Sequence, residues 1–233
     1  MGLFEKKYCD FCGNKLGLFG HTKLEDGYIC KDCLAKLSPW WQPGKKTKAS
    51  DVHEHLMDRE ENKTRVAGFR VSRSLGSAVK VLVDDAAGQV MITSSADFSE
   101  ANPDVFNISD ITSASLEISD SKIELKDKDK DGKTVSFDPK RYEYRYDFYI
   151  NAYVKNRWFD HIRFRLNGAS VKIDPWAEYA EKKAEYDALQ RQHLGAAPVT
   201  KDPYKPDIEG NADYQEYKAI GEEIAALLSE NQI

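Results

Sequence analysis

Four cysteines are arranged as Cys9-x-x-Cys12 and Cys30-x-x-Cys33, with seventeen residues between the pairs. Thiolates can act as nucleophiles, redox centres or soft metal ligands, and spacing selects among these. Two residues between cysteines let one tight turn aim both sulfurs at a single tetrahedral ion, and the doubled pair falls within the spacing of four-thiolate zinc sites. Gly13 follows Cys12, where such a turn often needs a positive φ. The competing readings are two disulfides, a thioredoxin-like redox pair and free core thiols. A redox pair belongs in a longer βαβ context, which the neighbouring residues do not supply. The expected site is therefore one structural zinc ion on Cys9, Cys12, Cys30 and Cys33. Four protein ligands leave no open position, so such a site folds a short segment and does no chemistry itself. His21 lies between the pairs and reads as a loop residue rather than a fifth ligand.

The elements around the cysteines can deliver that geometry. Lys23–Ile29 reads as two short strands around Asp26-Gly27, a hairpin that would bring Cys30 beside Cys9. Asp32–Leu37 reads as the first turns of a helix ended by Pro39. A knuckle, a hairpin and a second pair at a helix start describe a treble-clef-like finger. Residues 38–50 form a linker in which Trp40 and Trp41 either cap the small zinc core, the favoured reading, or form an exposed contact patch. Ser50 is an N-cap for a helix over 51–66, whose Val52, His55, Leu56, Arg59 and Lys63 give a thin apolar stripe among many charges. His53 and His55 fall on different helical faces and make a poor metal pair.

From Ala67 the periodicity changes to two. Phe69–Val71, Val79–Val83, Val90–Thr93, Ala114–Ile118, Ile123–Leu125, Tyr142–Ile150 and Phe159–Leu166 alternate apolar with polar residues, as half-buried strands do. Asp174 then caps a helix starting at Pro175, with Trp176, Tyr179, Ala180, Ala184 and Ala188 on a narrow stripe. After a proline-bearing connection over 196–210, a last helix spans 211–229, with Tyr214, Tyr217, Ile220, Ile224, Leu227 and Leu228 on one face. The expected class is a multidomain α+β protein. It divides into a four-cysteine finger (1–45), a linker and helix (46–66), an antiparallel β domain (67–173) and a C-terminal helical extension (174–233). The β domain is an antiparallel sheet or small barrel of about seven strands, with a PH-like barrel among its forms.

Composition narrows the function classes. Residues 1–50 hold nine lysines against five acids, a balance of +4, so the rest of a chain at −5 carries −9. Four thiolates on one zinc leave a site of charge −2, which several of those lysines offset. The overall acidity argues against wholesale nucleic-acid binding. No run reaches the roughly 18 consecutive apolar residues that span a bilayer, and the N-terminus lacks a secretory apolar stretch. Those features predict a cytoplasmic setting, where cysteines are metal ligands more often than disulfides.

Other constellations fall short of a catalytic set. Asp127, Asp129 and Asp131, with Gly132 and Asp138, trace a calcium-loop skeleton, but strands flank it and the twelfth position is Asp. Calcium is not the expected ligand. Gly76-Ser77-Ala78 lacks the second glycine of a nucleophile elbow, and no phosphate loop or dinucleotide fingerprint is present. His161 beside Asp160 has no visible partner nucleophile. Tyr142, Tyr144 and Tyr146 with Arg141 and Arg145 suggest base stacking, yet at strand spacing they read first as core or sheet surface.

The stretch from Met1-Gly-Leu-Phe-Glu-Lys-Lys-Tyr-Cys9-Asp-Phe-Cys12-Gly13 through Leu24-Glu-Asp-Gly27 and Ile29-Cys30-Lys-Asp-Cys33 to Leu37-Ser-Pro-Trp40 resembles an uncharacterised bacterial family with an N-terminal four-cysteine zinc finger. Tyr146–Ile150 and Trp158–Asn167 look like the β segment often attached to it. The resemblance implies zinc and a bacterial cytosolic setting, and no established activity. In layout the finger is also similar to the N-terminal zinc-binding domain of a protein unfoldase, which binds proteins. The expected function is a non-enzymatic zinc protein that works through protein partners or self-association. The alternatives are a nucleic-acid-associated regulator using the basic finger, weakened because residues 1–50 contain no arginine, and a lipid-surface module built on a small β barrel with a C-terminal helix, weakened because the acidic body speaks against anionic membranes.

Overall fold

The computed structural model describes residues 7–192 and 194–229. It is a mixed α+β protein with antiparallel sheets and, among the described residues, five helices. The chain divides into two compact units interleaved in sequence. Among the described residues, one comprises residues 7–114, 152–162 and 227–229, and the other residues 115–151, 163–192 and 194–226.

The first unit begins with the cysteine segment. β1 (His21–Lys23) pairs antiparallel with β2 (Tyr28–Cys30), Thr22 opposite Ile29. α1 (Lys31–Leu34) follows at once. Leu24, Ile29 and Leu37 are buried with Cys9, Cys30 and Cys33, and Val52 of α2 (Ala49–Gly68) completes this small core. α2 starts before Ser50, because Asp26 of the hairpin turn accepts a hydrogen bond from the Ala49 N–H at 2.7 Å. Asp51 closes the turn by accepting from the Lys48 N–H at 3.1 Å. An orphan N–H of a helix start is thus satisfied from 23 residues away, a signal no local capping rule carries.

The face α2 buries is largely polar. Val52, His55, Arg59, Asn62 and Val66 are its buried residues, while Leu56 is only partly covered and Lys63 is exposed. Arg59 pairs with Asp104 at 2.6 Å. Asn62 donates to Asn102 Oδ1 and to the Pro103 carbonyl, both at 2.8 Å, and accepts from the Val105 N–H at 3.1 Å. Asn102 returns a bond to the Arg59 carbonyl at 3.0 Å. The expected apolar stripe is therefore replaced by a hydrogen-bonded latch. Buried polar groups are retained where every partner is supplied, and here the 102–105 loop supplies most of them.

The four-stranded sheet of this unit runs β3-β4-β5-β6: β3 (Arg73–Leu75), β4 (Lys80–Asp84), β5 (Gln89–Thr93) and β6 (Val105–Asn107). The short α3 (Phe98–Ala101) lies between β5 and β6. β4 and β5 are buried on both faces rather than alternating. Leu82, Met91 and Val105 pack with Val66 and Phe69 of the α2 end. Phe69 caps α2 instead of opening a strand, so the first strand falls at Arg73 rather than at 69–71. β6 carries only three residues, too short to show a period.

A second four-stranded sheet is built from the four strands that follow β6. β7 (Ile111–Lys128) fuses the two strands expected at 114–118 and 123–125, since no Gly or Pro interrupts them. β8 (Thr134–Val154), β9 (His161–Arg165) and β10 (Val171–Ile173) follow. Their order is β10-β8-β7, with β9 also pairing to β8. Strands 67–173 thus form two four-stranded sheets rather than one sheet or barrel of seven strands. Val171 lies opposite Tyr146 and Ile173 opposite Tyr144. Phe148, Ile150, Phe164, Leu166, Val171 and Ile173 are buried.

α4 (Pro175–Arg191) is capped as expected, Asp174 accepting from Trp176 N at 3.0 Å and Ala177 N at 3.1 Å. α5 (Ala212–Ser229) lays Tyr214 edge-on against Tyr146 and Phe148 at 5.0 and 5.2 Å between centroids. Gly221 lets this helix approach the sheet closely: an added Cβ would stand 2.5 Å from Leu116 Cδ1.

Candidate metal centre

Each cysteine is placed by a local rule. The Gly13 N–H donates to the Cys9 carbonyl at 2.8 Å, closing the first knuckle, and Gly13 adopts φ +72°, open to glycine at no steric cost. The Asp10 N–H bonds the Tyr28 carbonyl at 3.0 Å, and Asp10 Oδ2 accepts from the Tyr28 N–H at 2.5 Å, pinning the knuckle to β2. Cys30 ends β2 and serves as N-cap of α1, while Cys33 lies within that helix. The hairpin therefore brings Cys30 beside Cys9, as the Asp26-Gly27 turn predicts.

The four Sγ atoms all lie within 4.8 Å of one another. Cys9, Cys30 and Cys33 are buried and Cys12 is exposed. Sulfurs around a tetrahedral ion with bonds of about 2.3 Å stand about 3.8 Å apart; Cys12 and Cys30 stand 3.7 Å apart. A disulfide needs about 2.05 Å, and all four thiols are free. The Cys30 N–H points at Cys9 Sγ (3.3 Å) and the Cys33 N–H at Cys30 Sγ (3.4 Å). Such N–H···S bonds orient thiolate ligands and offset their charge. Burial opposes ionisation of Cys9, but backbone N–H groups of Cys30, Phe11 and Cys12 outweigh it and hold its thiol down at about 7. Burial, followed by the neighbouring sulfurs, pushes the Cys33 thiol up. Four thiols this close repel ionisation of the whole set unless a cation joins them.

The other residues singled out by chemistry have structural placements. Trp41 packs on the cysteine core, stacks on His55 at 4.5 Å and tilts against Trp158 at 4.9 Å. His53 lies against Phe11 at 4.8 Å, and His21 against Tyr28 at 5.5 Å. His161 lies against Tyr153 at 4.9 Å. Asp127, Asp129 and Asp131 do not converge on a common point among the described residues. Asp129 instead caps the hairpin tip, accepting from the Asp131 and Lys133 N–H groups at 2.9 and 2.8 Å. Tyr146 is buried beneath Tyr214 and offers no stacking face, while the Tyr144 hydroxyl donates to the Tyr204 carbonyl at 3.3 Å.

A small finger whose four cysteines have the geometry to hold one metal ion is the class of module this site defines. Residues 7–55 match the family described as Domain of unknown function (DUF4428). That match ends inside α2, the helix whose first N–H is held by the hairpin's Asp26. No curated protein and no solved structure matches the chain. No helix among the described residues is long and apolar enough to cross a membrane.

Proposed function

We propose that this is a non-enzymatic protein that binds one structural zinc ion through Cys9, Cys12, Cys30 and Cys33 and acts by presenting its treble-clef-like finger to protein partners. The convergence of four thiols within 4.8 Å carries the reading. Zinc suits an all-thiolate tetrahedral set better than the hard cations do. A set closed by four protein ligands leaves no position for substrate or activated water, which supports a scaffolding role. The finger's core is too small to stand without the ion, so binding and folding are one event, worth roughly 10 kcal/mol or more for such sites.

Metal analysis of the purified chain tests the first half: one zinc per chain is expected, falling below half occupancy in Cys33→Ser with loss of amide dispersion over the finger. Full stoichiometry and an intact finger in that variant would overturn the assignment. Cross-linking of the zinc-loaded chain to a captured partner tests the second half, with cross-links expected at residues 7–55 and absent in Cys33→Ser.

A further inference from the structure

Most of the finger's apolar side chains are buried or packed against its core, and Leu18 and Phe19 are its most exposed. Leu24 and Ile29 are wholly inside and Leu37 nearly so, yet Leu18 is 78% exposed and Phe19 is 91% exposed. The two form the tip of the loop between the first knuckle and β1, with Gly17 and Gly20 on either side. Gly20 has φ +83°, and its carbonyl accepts from the Lys31 N–H at 3.1 Å, so the root of the loop is tied to the second cysteine pair. The Leu16 N–H is tied in turn to the Lys7 carbonyl at 2.8 Å. The tip therefore projects from a held base, two large apolar side chains with no neighbouring side chain on the flanking glycines. Single exposed apolar residues are ordinary, but an adjacent leucine and phenylalanine at a projecting tip mark a contact surface.

The charge around the tip names the partner. From Phe11 to Leu24 there is no acidic residue, whereas Lys15 and Lys23 flank the loop, and Lys7 and Lys31 belong to the segments hydrogen-bonded to its root. All four lysines are exposed. An apolar tip flanked in sequence by Lys15 and Lys23, with no acidic residue from Phe11 to Leu24, fits the interface of an anionic lipid bilayer, where the side chains enter the headgroup–acyl boundary and the flanking lysines meet the phosphates. A convex tip does not by itself require the recessed pocket that a protein partner would have to offer. The acidic remainder of the chain does not cancel this, because charges beyond a Debye length of about 8–10 Å are screened. We propose that the Leu18–Phe19 tip inserts peripherally into anionic membrane surfaces. The proposal rests on the zinc-held finger only in that the ion would hold the loop's root.

Vesicle flotation of the full chain tests it, using phosphatidylcholine vesicles with and without phosphatidylglycerol. Flotation is expected only with phosphatidylglycerol, weakened at least about tenfold in L18S/F19S and severalfold in K15E/K23E or at raised salt. No flotation at low salt overturns the proposal, including the case in which the tip serves only a protein pocket. Flotation unchanged in L18S/F19S, or equal without phosphatidylglycerol, also overturns it. Zinc content of the same preparation separates the two readings. A zinc-loaded chain that fails to float removes the membrane tip alone; a metal-free chain that floats through Leu18 and Phe19 removes the zinc assignment alone.

Discussion

His55 shows how a single side chain registers its surroundings. It is 2% exposed, stacked under Trp41 and edge-on to Trp158 at 5.2 Å, and its Nδ1 has no hydrogen-bond partner. Burial first, and then the charge of Arg59, hold its pKa down to about 4 from 6.5. The unfolded chain takes up this proton as pH falls below about 6.5, while the folded chain resists until about 4. Stability is thus fully present above pH 6.5 and is lost as pH falls from 6.5 to 4, by at most about 3 kcal/mol from this group. Denaturation titrations of wild type against His55→Phe should differ in slope across that window and run parallel above it. Identical slopes would show that His55 is accessible to protons in the folded state.

At the scale of elements, α2 is held by its latch to the 102–105 loop. Burial pushes the Asp104 carboxyl up against the opposing pull of Arg59 and Ser38, whose hydroxyl donates to it at 2.8 Å. The pair adds little net stability, because burying both charges costs nearly what their attraction returns. Removing one partner is different. Arg59→Met leaves a buried carboxylate uncompensated and should cost about 3–5 kcal/mol in urea denaturation, with R59M/D104L recovering most of it. Asn62→Ala should cost about 1–3 kcal/mol by orphaning the Val105 N–H. An additive double mutant would mean that the two side chains do not act as a pair.

For the whole molecule, the division into two units predicts separable responses to metal removal. A chelator should raise hydrogen exchange over residues 7–47, where the core is a handful of side chains around the sulfurs. Protection should persist over 144–150 and 171–173, whose ladder and buried Phe148 and Ile150 need no ion. Uniform loss of protection along the chain would show that the ion supports both units.

The cysteine site was legible in the sequence because its geometry is local: two knuckle spacings, a hairpin turn and a helix start are each set by a few adjacent residues. The same holds for the Asp174–Pro175 helix start and for α5, whose apolar face repeats at the helical period. Strand organisation was only half legible, since a period of two marks strands without saying which pair, and no breaker separates 114–118 from 123–125. The latch was invisible: the helical stripe placed Arg59 on the inward face without naming its partner, and Asn62 carried no signal, until the loop over 40 residues onward supplies carboxylate and carbonyl. Polar burial depends on a partner brought by the tertiary fold, and so does the return of residues 152–162 to the first unit. The sequence by itself determined the metal-binding finger; only the tertiary structure decided which polar groups become core and that Leu18 and Phe19, apolar like their neighbours, remain outside it.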